Sequence, residues 1–79
     1  MSWLARPRTE PYTAAGMRRV KCVRCAGQAL HQWQVCADGN HYRALCLSCD
    51  IELNRLVLNW ANDPNAESKM TAYEAKCST

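Results

Sequence analysis

Between residues 29 and 35 the chain reads Ala-Leu-His-Gln-Trp-Gln-Val, so Trp33 and Val35 fall on one face and Gln32 and Gln34 on the other. A period of two predicts a half-buried strand. Asp38-Gly39-Asn40 follows, built from residues that tolerate positive φ, and His41 to Leu45 supplies a returning strand, which together predict a β-hairpin. From residue 47 the period lengthens. Leu53, Leu56, Val57 and Trp60 recur at helical spacing and are expected to pack as core, with Leu47, Ile51 and Leu58 on a second face. Asp50 and Glu52 suit the first turns of such a helix. Asn62-Asp63-Pro64 ends it, and Asp63 is expected to cap a second helix with Pro64 at its first position and Ala66, Met70, Tyr73 and Cys77 along one stripe. Residues 1–19 hold Pro7, Pro11 and Gly16 without clean periodicity and read as a flexible arm. The expected organisation is therefore an arm over 1–19, a compact domain over 20–62 and a helix with a tail over 63–79. A chain begun at Met17 is expected to keep the fold.

Two C-x-x-C pairs flank the hairpin, Cys22-Val-Arg-Cys25 before it and Cys46-Leu-Ser-Cys49 at the start of the helix, with twenty residues between them. Two residues between thiolates let the chain bend so that both sulfurs face one tetrahedral ion, and the intervening loop is long enough to return to it. The spacing points to one structural Zn²⁺ held by Cys22, Cys25, Cys46 and Cys49. Gly27 stands where a turn around the metal needs a permissive backbone. Cys36 and Cys77 stand apart and are expected to be spare thiols. His31 or His41 could replace a cysteine in the set. A disulfide framework would require an oxidising compartment, and the start Met-Ser-Trp-Leu-Ala-Arg-Pro-Arg lacks the apolar stretch of a secretory signal, so a cytoplasmic location is expected.

Composition narrows the picture further. Seventy-nine residues form one small core, which rarely supplies more than about 3–5 kcal/mol and calls for a staple. No apolar run approaches the roughly 18 residues of a membrane span. Hydrophobic residues make up 48% of the chain, but many are Ala and Cys, and the aromatics are three Trp and three Tyr with no Phe. The formal charge is +3, and four thiolates with one dication bring it to about +1. Residues 1–24 hold six bases against Glu10, a net of +5, and residues 25–79 carry four bases and six acids, a net of −2. A basic N-terminal segment thus precedes a mildly acidic body.

Knuckle, hairpin and a helix whose first turn carries the second cysteine pair is the order of a treble-clef zinc finger, a small metal-stabilised α+β fold. From Cys22 to about Trp60 the chain resembles the N-terminal zinc-binding domain of the ClpX protein-unfolding ATPases. Cys22, Cys25, Cys46 and Cys49 match that family's ligand positions, and Asp50-Ile51-Glu52-Leu53 resembles its post-ligand helix. Ala26 stands where the family has a glycine, and the loop is slightly longer. The family's domains dimerise and bind adaptors and substrates, so the resemblance implies protein recognition. The compact format also looks like small zinc proteins encoded by phages and prophages, which implies a modulator of a host protein.

A non-enzymatic zinc module that binds a partner protein or homodimerises is the first expectation. It rests on Leu47, Ile51 and Leu58, an apolar face that the small hairpin cannot easily cover. The alternative is a small nucleic-acid-binding finger that uses Arg18, Arg19, Lys21, Arg24 and Arg43, against which stand Asp50 and Glu52 on the helix. A nuclease would need a histidine base beside an open metal site. His31, Asn40, His41 and Asn54 are its nominal parts, but no histidine follows His41, so no enzyme is expected.

Overall fold

The structure is a computed structural model that describes residues 8–77. It is a small α+β protein with α1 (Ala14–Arg19), β1 (His31–Val35), one 3-10 turn (Cys36–Asp38), β2 (His41–Leu45), α2 (Leu47–Trp60) and α3 (Ala66–Cys77). The chain forms two compact units, Met1–Cys49 and Asp50–Thr79. That division differs from the one expected after residue 62, because side chains along α2 are tied to α3.

In the first unit, β1 and β2 pair antiparallel, with His31 opposite Leu45, Gln32 opposite Ala44 and Val35 opposite His41. Gly39 (φ 73°) and Asn40 (φ 60°) turn the chain between them, as Asp38-Gly39-Asn40 predicts. Arg43 closes the turn by donating from Nε to Asp38 at 2.7 Å. Both faces of the hairpin are partly covered, and on the expected face the buried residue is Leu45, opposite His31. Trp33 is half-buried and Val35 exposed, whereas Ala44, opposite Gln32, is fully buried in a cluster with Tyr12 and Ala29. Gln32 tolerates this face because its amide is paired on both sides. Its oxygen accepts from the Tyr12 N–H at 2.8 Å and its nitrogen donates to the Tyr12 carbonyl at 3.1 Å.

Residues 8–19, expected to be flexible, are folded onto the hairpin. The Tyr42 N–H donates to the Arg8 carbonyl at 2.6 Å, and the Arg8 guanidinium lies over the Tyr12 ring at 5.2 Å. Thr13 caps α1 by accepting from the Gly16 N–H at 3.0 Å. At the other end of α1, where a helix leaves its carbonyls unmatched, the Gln28 side chain donates to Met17 and Arg18 at 3.2 and 3.4 Å. The first part of the expected arm, residues 1–7, lies outside the described residues.

In the second unit, α3 begins two residues later than expected, at Ala66. Asp63 still prepares it, accepting from the Asn65 N–H at 2.8 Å and pairing with the Lys69 ammonium, which holds its carboxyl below the usual range. Ala66 and Met70 are buried and Tyr73 and Cys77 half-buried, the stripe the spacing predicts. Arg55 of α2 donates to Glu67 at 2.7 and 2.9 Å and to Glu74 at 3.5 Å, and the Tyr73 hydroxyl donates to the buried Asp50 carboxylate. At 100° per residue, Asp50 and Arg55 flank the face that carries Ile51 and Leu58. The helix therefore turns over relative to expectation. Leu47, Ile51 and Leu58 are half-buried, while Leu56, Val57 and Trp60, expected in the core, are exposed at 61%, 37% and 86%.

The folded N-terminal segment reverses the truncation expectation. A chain begun at Met17 loses Tyr12 from the cluster and leaves both polar ends of Gln32 unpaired, so its thermal midpoint should fall clearly. Tyr12→Ala alone should cost about 3 kcal/mol, read by denaturant unfolding of the metal-loaded protein.

Candidate metal centre

The first pair of cysteines sits on a tight turn. The Ala26 N–H donates to the Cys22 carbonyl at 2.9 Å, and the Cys22 N–H donates to the Gly27 carbonyl at 2.7 Å. The residue in the left-handed region is Ala26 (φ 64°), not Gly27. Gly27 has no positive φ, and a Cβ there would lie 3.4 Å from Cys25 Sγ and 3.8 Å from Cys46 Cβ. Gly27 is thus a close neighbour of both cysteine pairs, and the backbone strain belongs to Ala26. The second pair straddles the first turn of α2, so Cys46 and Cys49 present their sulfurs about one turn apart. The Val23 N–H, donating to the Ala44 carbonyl at 2.9 Å, docks the knuckle on β2 and brings the pairs together.

The four sulfurs of Cys22, Cys25, Cys46 and Cys49 lie within 4.8 Å of one another, and Cys25 Sγ is 3.5 Å from Cys46 Sγ. A tetrahedral ion with sulfur ligands at about 2.3 Å needs sulfurs about 3.8 Å apart, so the cluster fits one metal ion. Backbone N–H groups support charge on it. Arg24 N–H donates to Cys22 Sγ and Cys49 N–H to Cys46 Sγ, each at 3.4 Å. Cys22 and Cys49 are buried, Cys46 half-buried and Cys25 exposed.

The thiols ionise unequally. Burial opposes charge on Cys22, but the backbone N–H groups of Cys46, Cys25 and Arg24 outweigh it and bring the thiol down to about 6. The Gly27 N–H favours a thiolate at Cys25, yet the Cys46 and Cys22 sulfurs beside it leave it raised. The Cys46 sulfur, then burial, push Cys49 up to about 12. Four sulfurs this close cannot all carry charge unless a cation neutralises them.

Neither histidine joins the cluster. His41 Nδ1 is buried and lies 3.9 Å from the Asp38 carboxylate. Cys36 is exposed on the 3-10 turn and Cys77 half-buried on α3. Of the bases singled out for nucleic acid, Arg18 and Arg19 are exposed in the last turn of α1, Arg24 is exposed on the knuckle and Lys21 is half-buried. Arg43 is committed to Asp38. By sequence Gln28 has no assigned role, Gln32 falls on the open face of the strand and Tyr12 lies in the expected flexible arm. Thr13 as a cap and Pro11 before Tyr12 were the available signs of order there, and nothing marked the glutamines. Among the described residues no helix is long and apolar enough to cross a membrane. Compared with family models, curated proteins and solved structures, the chain matches none.

Cys49→Ser should abolish metal binding and unfold the first unit, while Cys36→Ser and Cys77→Ser leave metal content unchanged by elemental analysis. Metal binding must displace protons from the raised thiols, so affinity should weaken as pH falls. The stability carried by bound thiolates is present above the free thiol range and is lost as pH drops toward the bound value, which a pH series of thermal midpoints reads. Ala26→Gly should stabilise the metal-loaded protein by about 1 kcal/mol, since glycine relieves the left-handed strain.

Proposed function

We propose that the chain is a non-enzymatic, zinc-stabilised protein-interaction module of the treble-clef type, acting in the cytoplasm. The order of knuckle, hairpin and ligand-bearing helix supports the fold type. Four thiolate donors close enough to share one ion favour zinc, and a reducing compartment keeps them free to bind it. Zinc's role here is structural, because all four positions are filled by protein sulfur and none is left for substrate.

The observation that carries the binding role is the exposed side of α2, with Leu56 at 61%, Val57 at 37% and Trp60 at 86% exposure. Leu53, half-buried, continues the same stripe toward Cys49. Fully burying one such side chain is worth about 1.5–3 kcal/mol, and tryptophan is among the residues enriched as anchors at the centre of protein interfaces. An apolar pocket on a partner protein fits this stripe. The half-buried Leu47, Ile51 and Leu58 offer less surface than expected, so the contact is assigned to Leu56, Val57 and Trp60.

Binding of nucleic acid is the second reading, favoured by the charge of the first unit. Residues 8–49 hold six bases and two acids, and Arg18 and Arg19 are exposed together. One assay separates the two. Association with protein, followed by sedimentation, should be lost in Leu56→Glu and Trp60→Glu at unchanged metal content and should survive loss of Arg18 and Arg19. If the arginine variants alone abolish binding, and binding falls steeply with salt, the nucleic-acid reading holds instead.

A further inference from the structure

The four sulfurs of the metal centre are unequal in access. Cys22 is fully buried and Cys49 is 8% exposed, whereas Cys25 is exposed and Cys46 half-buried. The two accessible thiols come from different C-x-x-C pairs, and their sulfurs are 3.5 Å apart. We infer that the centre is a site of reversible oxidation in which Cys25 and Cys46 form a disulfide across the two pairs, the metal leaves, and a covalent tie takes its place. The inference rests on the metal-binding reading of the four cysteines.

An oxidant of the peroxide class meets Cys25 first because Cys25 is the most exposed of the four cysteines. The Cys25 sulfur attacks one peroxide oxygen, the O–O bond breaks, and the departing oxygen leaves as water, giving a sulfenic acid. Cys46, 3.5 Å away and less buried than Cys22 or Cys49, attacks the sulfenic sulfur. The S–O bond breaks, a second water leaves and the disulfide forms. Each sulfur gives up one electron, and the pair, with two protons from solvent, reduces one peroxide to two waters. A d¹⁰ zinc ion takes no part in the electron transfer and departs because two of its four ligands are gone. Cys22 and Cys49 return to thiols by taking up a proton each. A dithiol reductant reverses the change.

The pairing matters for the fold. A disulfide within either C-x-x-C pair would leave the knuckle and the start of α2 unconnected. Joining Cys25 to Cys46 fastens the same two elements that the metal fastens, and it closes a much longer loop, which restrains the unfolded chain more. The oxidised, metal-free protein should therefore keep the hairpin, whereas the reduced, metal-free protein should not.

Hydrogen peroxide titrated into the full, metal-loaded chain tests this, with disulfides mapped by mass spectrometry after digestion without reductant and released metal followed by a chromogenic chelator. Elemental analysis before oxidation reports on the metal reading separately, and the disulfide map decides the pairing whichever way that result falls. The expected result is a Cys25–Cys46 disulfide with one metal ion released per disulfide, unchanged in a Cys36→Ser, Cys77→Ser double variant and reversed by dithiothreitol with added zinc. Retained hairpin signals in the oxidised form, beside their loss on chelation of the reduced form, support the covalent tie. A main product joining Cys22 to Cys25 or Cys46 to Cys49 overturns the inference. So does irreversible sulfinic acid at Cys25 without a disulfide, or loss of the hairpin in the disulfide form.

Discussion

Convergence of four sulfurs on one point is the constraint the first unit is built around. The knuckle turn and the first turn of α2 come from opposite sides of a hairpin, and their thiols end within 4.8 Å of one another. Left to themselves these groups resist sharing a site, because the neighbouring sulfurs and burial hold the Cys49 thiol up. A divalent cation would convert that repulsion into attraction and tie the knuckle to the start of α2. The buried apolar side chains among the described residues are mostly small: Ala29, Ala44, Cys22 and Cys49 accompany Tyr12 and Leu45 in the first unit, and Ala66 accompanies Met70 in the second. A core of this kind is short of the burial a stable domain needs, which is the deficit a metal held by the four cysteines would make good.

Polar ties do much of the remaining work. In the first unit the Gln32 amide holds both backbone groups of Tyr12, and Gln28 holds the end of α1. In the second unit Arg55 spans Glu67 and Glu74, and Tyr73 donates to Asp50. These groups specify geometry more than they add stability, because each bond replaces one to water. Their directionality selects one docking of the N-terminal segment and one rotation of α2 about its axis. That rotation leaves Leu56, Val57 and Trp60 facing solvent. The framework and the proposed binding surface are therefore linked, since the polar contacts that place α3 also decide which apolar stripe remains uncovered.

The cysteine pairs, the hairpin and the α3 stripe were legible in the residues alone because each is a local matter. Ligand spacing is set by how a chain turns around one ion, Asp38-Gly39-Asn40 by tolerance of positive φ, and Ala66, Met70, Tyr73 and Cys77 by helical period. Tertiary structure decided the rest. Gln32 reads as a solvent-facing strand residue until Tyr12, twenty positions away, arrives to pair with its amide. Ile51 and Leu58 read as a spare face until Tyr73, twenty-three positions from Asp50, places α3 beside them. Strain at Ala26 rather than freedom at Gly27 follows from where the knuckle closes. Periodicity shows that a helix has an apolar face, but with apolar residues on two faces it cannot show which one is covered, because that depends on contacts between segments far apart in the chain.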